Sequence, residues 1–179
     1  FAWNKALSQH TFTYSSVEYI ENQGQWKDAF LYKGTTAKGD IYLRKDGFRV
    51  VMADAQNHDK VHGVRHGWMP APQTLHFHAF DVHFLNANTS TTVSGYKPQP
   101  HFYSYFLGKD PSHWKSKIHP VMAVDYKELY QGIDAHVYSE DGSVKYDLIV
   151  HPGASVSDIR LGYEGINQVR TEKGKLILE

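Results

Sequence analysis

Apolar and polar residues alternate along most of this chain, and this period of two constrains the fold more than any other feature of the sequence. Between residues 40 and 54, for example, Ile41 and Leu43 alternate with Tyr42 and Arg44. After an interruption at residues 45–47, Phe48, Val50 and Met52 alternate with Arg49 and Val51. Successive side chains of a β-strand point to opposite faces of the sheet. The alternation therefore predicts strands that each bury one face.

Two hairpins are predicted where Asp-Gly dipeptides interrupt alternating runs, at residues 46–47 and 141–142, because glycine accepts the positive φ that tight hairpin turns require. Further strands are predicted at 76–85, 91–95, 103–107, 121–126, 159–163, 168–170 and 175–178. Single helical turns are predicted at 112–117 and 126–130. The sequence thus predicts an all-β fold, an antiparallel two-sheet sandwich-like domain with one or two short helical turns.

The 179 residues fit one domain. We expect an N-terminal extension at 1–17 and a single β-rich domain at 18–179, with a long loop at 55–73, where the alternation is lost and three histidines, two glycines and two prolines occur. The apolar strand predicted at 175–178 favours a domain that is truncated at its C-terminal end, since an apolar edge strand is normally covered.

Composition narrows the classes of function. Lys and Arg number 19 and Asp and Glu number 19, so the net charge is zero, which argues against nucleic acid as a partner because backbone binding needs excess positive charge. No run approaches the roughly 18 apolar residues of a membrane helix, so no membrane insertion is expected. The sequence has no cysteine and no phosphate-binding loop or serine-nucleophile motif. We therefore expect no cofactor and no enzymatic activity.

A series of short motifs occurs in a characteristic order: YIENQGQW at 19–26, HAFDV at 78–82, YFLG at 105–108, YKELYQGID at 126–134 and YDLIVHPGA at 146–154. In these motifs the chain resembles the N-terminal domain of unknown function of large secreted Bacteroidota proteins, the SBBP-repeat and gliding-motility-associated C-terminal-domain proteins. The resemblance implies a secreted or cell-surface protein that uses type IX secretion and whose leader is absent from this chain. It also implies that the domain's partners include other domains of the same long polypeptide, and it supplies no catalytic residues.

His58, His62 and His66 form the first candidate metal site. Imidazoles at this spacing would line one face of a helix, and three histidines with an open position hold catalytic zinc in many hydrolases. Gly63 and Gly67 disfavour a helix here, by about 1 kcal/mol each relative to alanine. The alternative is a solvated histidine-rich loop.

The segment at 76–83 holds a second group, His76, His78, Asp81 and His83. On a strand the first two side chains face one way and the last two the other, so all four cannot bind one ion without a bulge. His78 shares its parity with Phe80, and the residue is better explained as a buried neutral histidine than as a ligand.

Asp134 and His136 form a third group, which we expect to lie opposite Lys145 and Asp147 across a hairpin. Two carboxylates and an imidazole on facing strands could form an acid–base pair or a cation site. They could equally form a cross-strand ladder of charges on a solvated sheet face.

Tyr103, Tyr105 and Trp114 are the candidate ligand-binding residues. Exposed Tyr and Trp rings stack on sugars and anchor protein interfaces, and alternation predicts that Phe102 and Phe106 pack inside. These features favour a non-catalytic module that serves adhesion, assembly or protein–protein interaction, with surface proteins or glycans as partners. The alternatives are a carbohydrate-binding module with an aromatic stacking platform and, third, a metal-dependent hydrolase that uses the histidines of the 55–73 loop.

Overall fold

The computed structural model describes residues 16–54, 57 and 74–179. This part of the chain is all-β and antiparallel, as predicted, and two short 3-10 turns, Pro111–His113 and Val156–Asp158, accompany the strands. The strands are β1 (Tyr19–Glu21), β2 (Tyr32–Thr36), β3 (Gly39–Arg44), β4 (Gly47–Ala53), β5 (Phe77–Phe84), β6 (Thr92–Pro98), β7 (Tyr103–Tyr105), β8 (Lys115–Ile118), β9 (Val121–Tyr130), β10 (Ile133–Glu140), β11 (Ser143–Val150), β12 (Leu161–Glu164), β13 (Val169–Glu172) and β14 (Lys175–Leu178).

Both predicted Asp-Gly hairpins are present. Glu140 pairs with Ser143, and the two residues between them, Asp141 and Gly142, have φ values of 52° and 71°. Positive φ at both positions defines the two-residue turn whose twist matches that of the flanking strands. At the β3–β4 hairpin, Gly47 has a φ of 150°, and a Cβ atom there would lie 2.0 Å from the carbonyl oxygen of Val82. Only glycine therefore lets β4 approach β5 at this point.

Within the described residues, ten strands form one curled antiparallel sheet in the order β11-β10-β9-β1-β2-β3-β4-β5-β12, with β6 also paired with β9. The curl brings distant strands of this order together: the rings of Phe48 on β4 and Tyr146 on β11 lie 5.6 Å apart, and those of Phe84 on β5 and Tyr126 on β9 also lie 5.6 Å apart. The sheet thus packs on itself around one core, as in a sandwich-like domain. Two smaller sheets, β7–β8 and β13–β14, lie beside it.

The core is built from the inward-facing residues of the sheet and is rich in tyrosine. The buried apolar side chains include Tyr19, Ile41, Leu43, Phe48, Val82, Val124, Tyr126, Leu129, Ile133 and Val137. Three of the buried tyrosines, Tyr19, Tyr126 and Tyr130, keep their hydroxyls hydrogen-bonded, which offsets the cost of burying a polar group. Tyr126 donates to the carbonyl of Arg44 at 2.8 Å, and Tyr130 donates to that of Arg160 at 2.8 Å.

The helical turn predicted at 126–130 is wrong, because these residues complete β9. Tyr126, Leu129 and Tyr130 are all buried, which gives the spacing of a helical face. The spacing instead arises from an irregularity in the strand: Glu128 has a φ of 54°, and the register between β9 and β10 shifts at this end. A β-bulge changes the face on which the following side chains lie.

The turn predicted at 112–117 is also shorter than expected, since β8 begins at Lys115.

Parts of the predicted domain organisation lie outside the described residues. Of the extension predicted at 1–17, only residues 16 and 17 are described; Val17 is buried, and its backbone N–H donates to Ser139 Oγ at 2.7 Å. Of the loop predicted at 55–73, only Asn57 is described. In the part of the chain that the structure covers, no helix has the length and apolar character needed to cross a bilayer.

Candidate functional sites

The β7–β8 hairpin (residues 103–118) and its flanking residue Phe102 present a group of large exposed apolar side chains. Phe106 is 63% exposed and Trp114 is 42% exposed, and their rings meet edge to face with centroids 5.8 Å apart. The indole N–H of Trp114 donates to the carbonyl of Gly108 at 3.4 Å, which helps to fix the ring. The other exposed members are Phe102, Tyr103 and Leu107.

The three residues predicted to bind ligand occupy this hairpin but differ in their surroundings. Trp114 is exposed, as expected. Tyr105 is half-buried, with its ring 4.9 Å from that of Trp26. The Tyr103 hydroxyl donates to the carboxylate of Glu18 at 3.1 Å. In the described part of the chain, no ring contact joins these three residues into one platform; Trp114 pairs with Phe106 instead.

The expectation that Phe102 and Phe106 pack inside is wrong, because they are 52% and 63% exposed. Strand β7 pairs only with β8 in the described chain, in a two-stranded sheet separate from the main one. The side of the hairpin that carries Tyr103 and Tyr105 contacts the region of β1, through Glu18 and Trp26. Phe102 and Phe106 point to the opposite side of the strand, and they are consequently exposed to solvent.

Asp81 lies at the centre of a charged cluster on the outer face of β4 and β5. Arg44 and Arg49 donate to its carboxylate at 2.8 and 2.7 Å. The hydrogen bonds from Arg49, opposed by desolvation and aided by the charge of Arg44, lower the pKa of Asp81. His83 lies beside it, 3.5 Å from Glu164 of β12. Asp81, His83 and Glu164 are close enough to share a cation, but both guanidiniums already neutralise the central carboxylate, so the geometry favours a structural ion-pair cluster.

The other two histidines of that group take no part in the cluster. His76 is exposed, and its backbone exchanges two hydrogen bonds with the side chain of Asn57. The interpretation of His78 as a buried histidine is wrong, because the residue is exposed and its ring lies 6.3 Å from that of Phe80. The first half of β5 extends beyond the core, so alternation there does not imply burial.

Asp134 is the most constrained carboxylate of the third group. Its side chain is 8% exposed, and it accepts hydrogen bonds from Lys127 Nζ at 2.8 Å, the backbone N–H of Glu128 at 2.8 Å and His151 Nε2 at 3.2 Å. Desolvation alone would raise the pKa of Asp134, but these hydrogen bonds outweigh it and lower the pKa to about 2. Asp134 therefore stays ionised and holds the end of the β9–β10 hairpin.

The predicted partners across the hairpin are only partly correct. His136 does lie opposite Asp147, but Lys145 lies opposite Tyr138, and Asp134 lies opposite Ile149. The His136 ring instead bonds Asp125 of β9 at 2.5 Å and stacks on Tyr138. The sequence reasoning missed Asp125, Lys127 and His151 because they belong to a third strand and to a turn beyond the hairpin.

His58, His62 and His66 lie outside the described residues, so the metal site proposed for them stays a prediction. Glu164, Arg44 and Arg49 were also missed as members of the Asp81 cluster. Arg49 and Glu164 lie opposite Asp81 on the two strands that pair with β5, and Arg44 lies one strand further away on β3. No local pattern indicates this grouping, because the pairing of β5 with β12 spans about 80 residues of chain.

Comparison with known proteins gives one family. Residues 19–179 match the model of a domain of unknown function, DUF7948. The comparison with curated proteins gives no match, and the comparison with solved structures gives none either. The match spans the sheet, both smaller hairpins and every described site. The chain therefore belongs to the DUF7948 family of domains of unknown function.

Proposed function

We propose that this domain is a non-catalytic N-terminal module of an exported cell-surface protein and that it serves adhesion, assembly or protein–protein interaction through the β7–β8 hairpin. One observation carries the proposal: Phe106 and Trp114, 63% and 42% exposed, form a ring pair in the segment that joins the two strands of a small sheet separate from the main one. Exposed aromatic side chains bury a large area on binding at little cost in rotamer entropy, and they dominate many protein interfaces.

The surroundings of the ring pair support an interface. Tyr105, Trp26 and Phe30 contact one another in series, with centroids 4.9 and 5.5 Å apart, and so link the hairpin to the segment between β1 and β2. A binding surface that is already held in place by packing contacts loses less conformational entropy when a partner binds. The motif resemblance implies that such domains precede others in long secreted polypeptides. We therefore propose other domains of that polypeptide and neighbouring surface proteins as the partners.

Site-specific photo-crosslinking in the full-length protein on its native cells tests this proposal. A photoreactive benzoylphenylalanine replaces Phe106, and in a control it replaces Val169, which is 43% exposed on β13. We expect crosslinks from position 106 to converge on one protein segment and those from position 169 to be sparse and scattered. Trp114→Ala should lower the yield at position 106 about tenfold or more, as expected for truncation of an interface anchor. Equal crosslinking from both positions would refute the proposal.

A carbohydrate-binding module is the second candidate, and the half-exposed, fixed indole of Trp114 is the observation that favours it. Aromatic faces stack on sugar rings, but the platform would consist of Trp114 with Phe106 rather than Trp114 with Tyr103 and Tyr105. Binding of the chain to a glycan array, removed by Trp114→Ala, would support this candidate. A blank array would eliminate it.

A further inference from the structure

Three loops meet at one end of the curled sheet and enclose a polar cleft of about 610 Å³. One loop follows β5, the second is the β9–β10 turn, and the third precedes β12. None of the residues that line the cleft belongs to the β7–β8 hairpin, and all of them carry polar groups. The side chains that line it are those of Asn86, Asn88, Glu128, Gln131, Asp158 and Arg160, together with Tyr130.

Most of these polar side chains have no partner within the described residues. The side chains of Asn86, Gln131, Asp158 and Arg160 make neither a hydrogen bond nor an ion pair there, although Asp158 and Arg160 carry opposite charges and line the same cleft. Glu128 uses one carboxylate oxygen to accept from the backbone N–H of Gly132 at 3.2 Å. The cleft thus offers acceptors, a guanidinium donor and amides that remain available.

The backbone that carries these side chains is, by contrast, firmly held. Tyr130 donates its hydroxyl hydrogen to the carbonyl of Arg160 at 2.8 Å, and this bond ties the loop before β12 to the end of β9. The N–H of Asn88 donates to the carbonyl of Leu129 at 2.8 Å. The buried carboxylate of Asp134 accepts from the N–H of Glu128 at 2.8 Å. All three loops are therefore fixed to β9, and the cleft is formed before a ligand arrives.

From this arrangement we infer that the cleft binds a neutral saccharide unit through hydrogen bonds. A sugar hydroxyl both donates and accepts, so neighbouring hydroxyls can satisfy carboxylates, amides and a guanidinium at the same time. Bonds that involve a charged group are the stronger ones, and the cleft supplies three such groups. Its volume lies within the range of small-ligand sites, roughly 300–1,000 Å³.

The charges of the lining select among sugars. Glu128 and Asp158 contribute two negative charges and Arg160 one positive charge, so a uronic or sialic acid would bring a carboxylate to a lining that is already net negative. Like charges brought together in a partly desolvated site are unfavourable. Neutral hexoses and N-acetylhexosamines fit the cleft, and acidic sugars do not.

The test uses the 179-residue chain on an array of neutral hexose-, N-acetylhexosamine-, uronic-acid- and sialic-acid-terminated oligosaccharides, with EDTA in the buffer. Asp158→Ala and Arg160→Ala remove side chains that make no internal bond in the described structure, so the fold should persist, and far-UV circular dichroism verifies it. Each variant should weaken binding to neutral glycans by about tenfold or more, the loss expected for a hydrogen bond to a charged group. Asp147→Ala, which removes an exposed carboxylate on β11, is the matched control and should leave binding unchanged.

Several results would overturn the inference. These are a blank array in EDTA, a preference for acidic glycans, and neutral-glycan binding that survives both cleft substitutions. Binding that Trp114→Ala removes while Asp158→Ala leaves it intact would assign the sugar to the β7–β8 hairpin and not to the cleft. The crosslinking experiment at position 106 is independent of all these outcomes. Sugar binding in the cleft and the protein interface at the hairpin can therefore be refuted separately.

Discussion

Replacing Asp134 by asparagine removes one negative charge from a nearly buried position while keeping the size of the side chain. The carboxylate accepts hydrogen bonds from Lys127, Glu128 and His151. Asparagine can accept only weaker, neutral bonds at its single amide oxygen. We therefore expect Asp134→Asn to destabilise the fold at neutral pH.

The pKa of Asp134 gives the magnitude and the pH dependence. It is lowered from 3.8 to about 2, and one pKa unit of difference between folded and unfolded states corresponds to about 1.4 kcal/mol. The ionised carboxylate thus contributes about 2 kcal/mol to the free energy of unfolding. Because the folded-state pKa is the lower one, this contribution is complete above about pH 5 and is lost as the pH falls towards 2.

Urea denaturation of the wild type and Asp134→Asn at several pH values between 7 and 2.5 measures this effect. The free energy of unfolding should differ by about 2 kcal/mol at pH 7, and the difference should shrink steadily below pH 5. Asp147→Asn, an exposed carboxylate on the adjacent strand, should change stability by less than about 0.5 kcal/mol at any pH. A difference for Asp134→Asn that is under about 0.5 kcal/mol, or that does not vary with pH, would refute the reasoning.

Two further substitutions, Gly47→Ala and Tyr126→Phe, test the packing of the sheet in the same denaturation assay, and Gly108→Ala is the control for the first. Gly47→Ala should lower the free energy of unfolding by more than about 3 kcal/mol or prevent folding, because the new Cβ atom would lie 2.0 Å from the carbonyl oxygen of Val82. At Gly108 nothing lies within 4 Å of a Cβ atom. Gly108→Ala should therefore lower the free energy of unfolding by only about 1–2 kcal/mol, because of the positive φ at this position. Equal losses at the two glycines would contradict the close approach of β4 and β5. Tyr126→Phe should cost about 1 kcal/mol through the lost hydrogen bond to the carbonyl of Arg44, and a neutral result would show that this bond is not formed.

The strands and hairpin turns could be predicted because their signals are local. Alternation over 40–54 and the Asp141-Gly142 dipeptide depend only on neighbouring residues, and the structure confirms both hairpins. The segment at 126–130 could not be read in the same way. Its apolar spacing is that of a helix, and only pairing with β10 reveals that a bulge at Glu128 produces it.

The candidate sites were less predictable because they depend on contacts between distant segments. Alternation identified two faces of the 102–106 segment but not which face meets the rest of the domain; that choice follows from the contacts of Tyr103 and Tyr105 with the β1 region. The polar cleft joins residues 86–88, 128–131 and 158–160. No local pattern could place these loops together, since their meeting depends on the curl of the whole sheet.

The curl of the ten-stranded sheet forms the core and assembles the cleft, so both depend on contacts between strands that are far apart in the sheet order. Nuclear Overhauser spectroscopy of the labelled chain tests the curl directly through these contacts. We expect ring-to-ring cross-peaks between Phe48 and Tyr146, whose centroids lie 5.6 Å apart, and between Phe84 and Tyr126, also 5.6 Å apart. Intact cross-strand amide contacts without these ring contacts would show that the sheet is open, and they would rule out the curl.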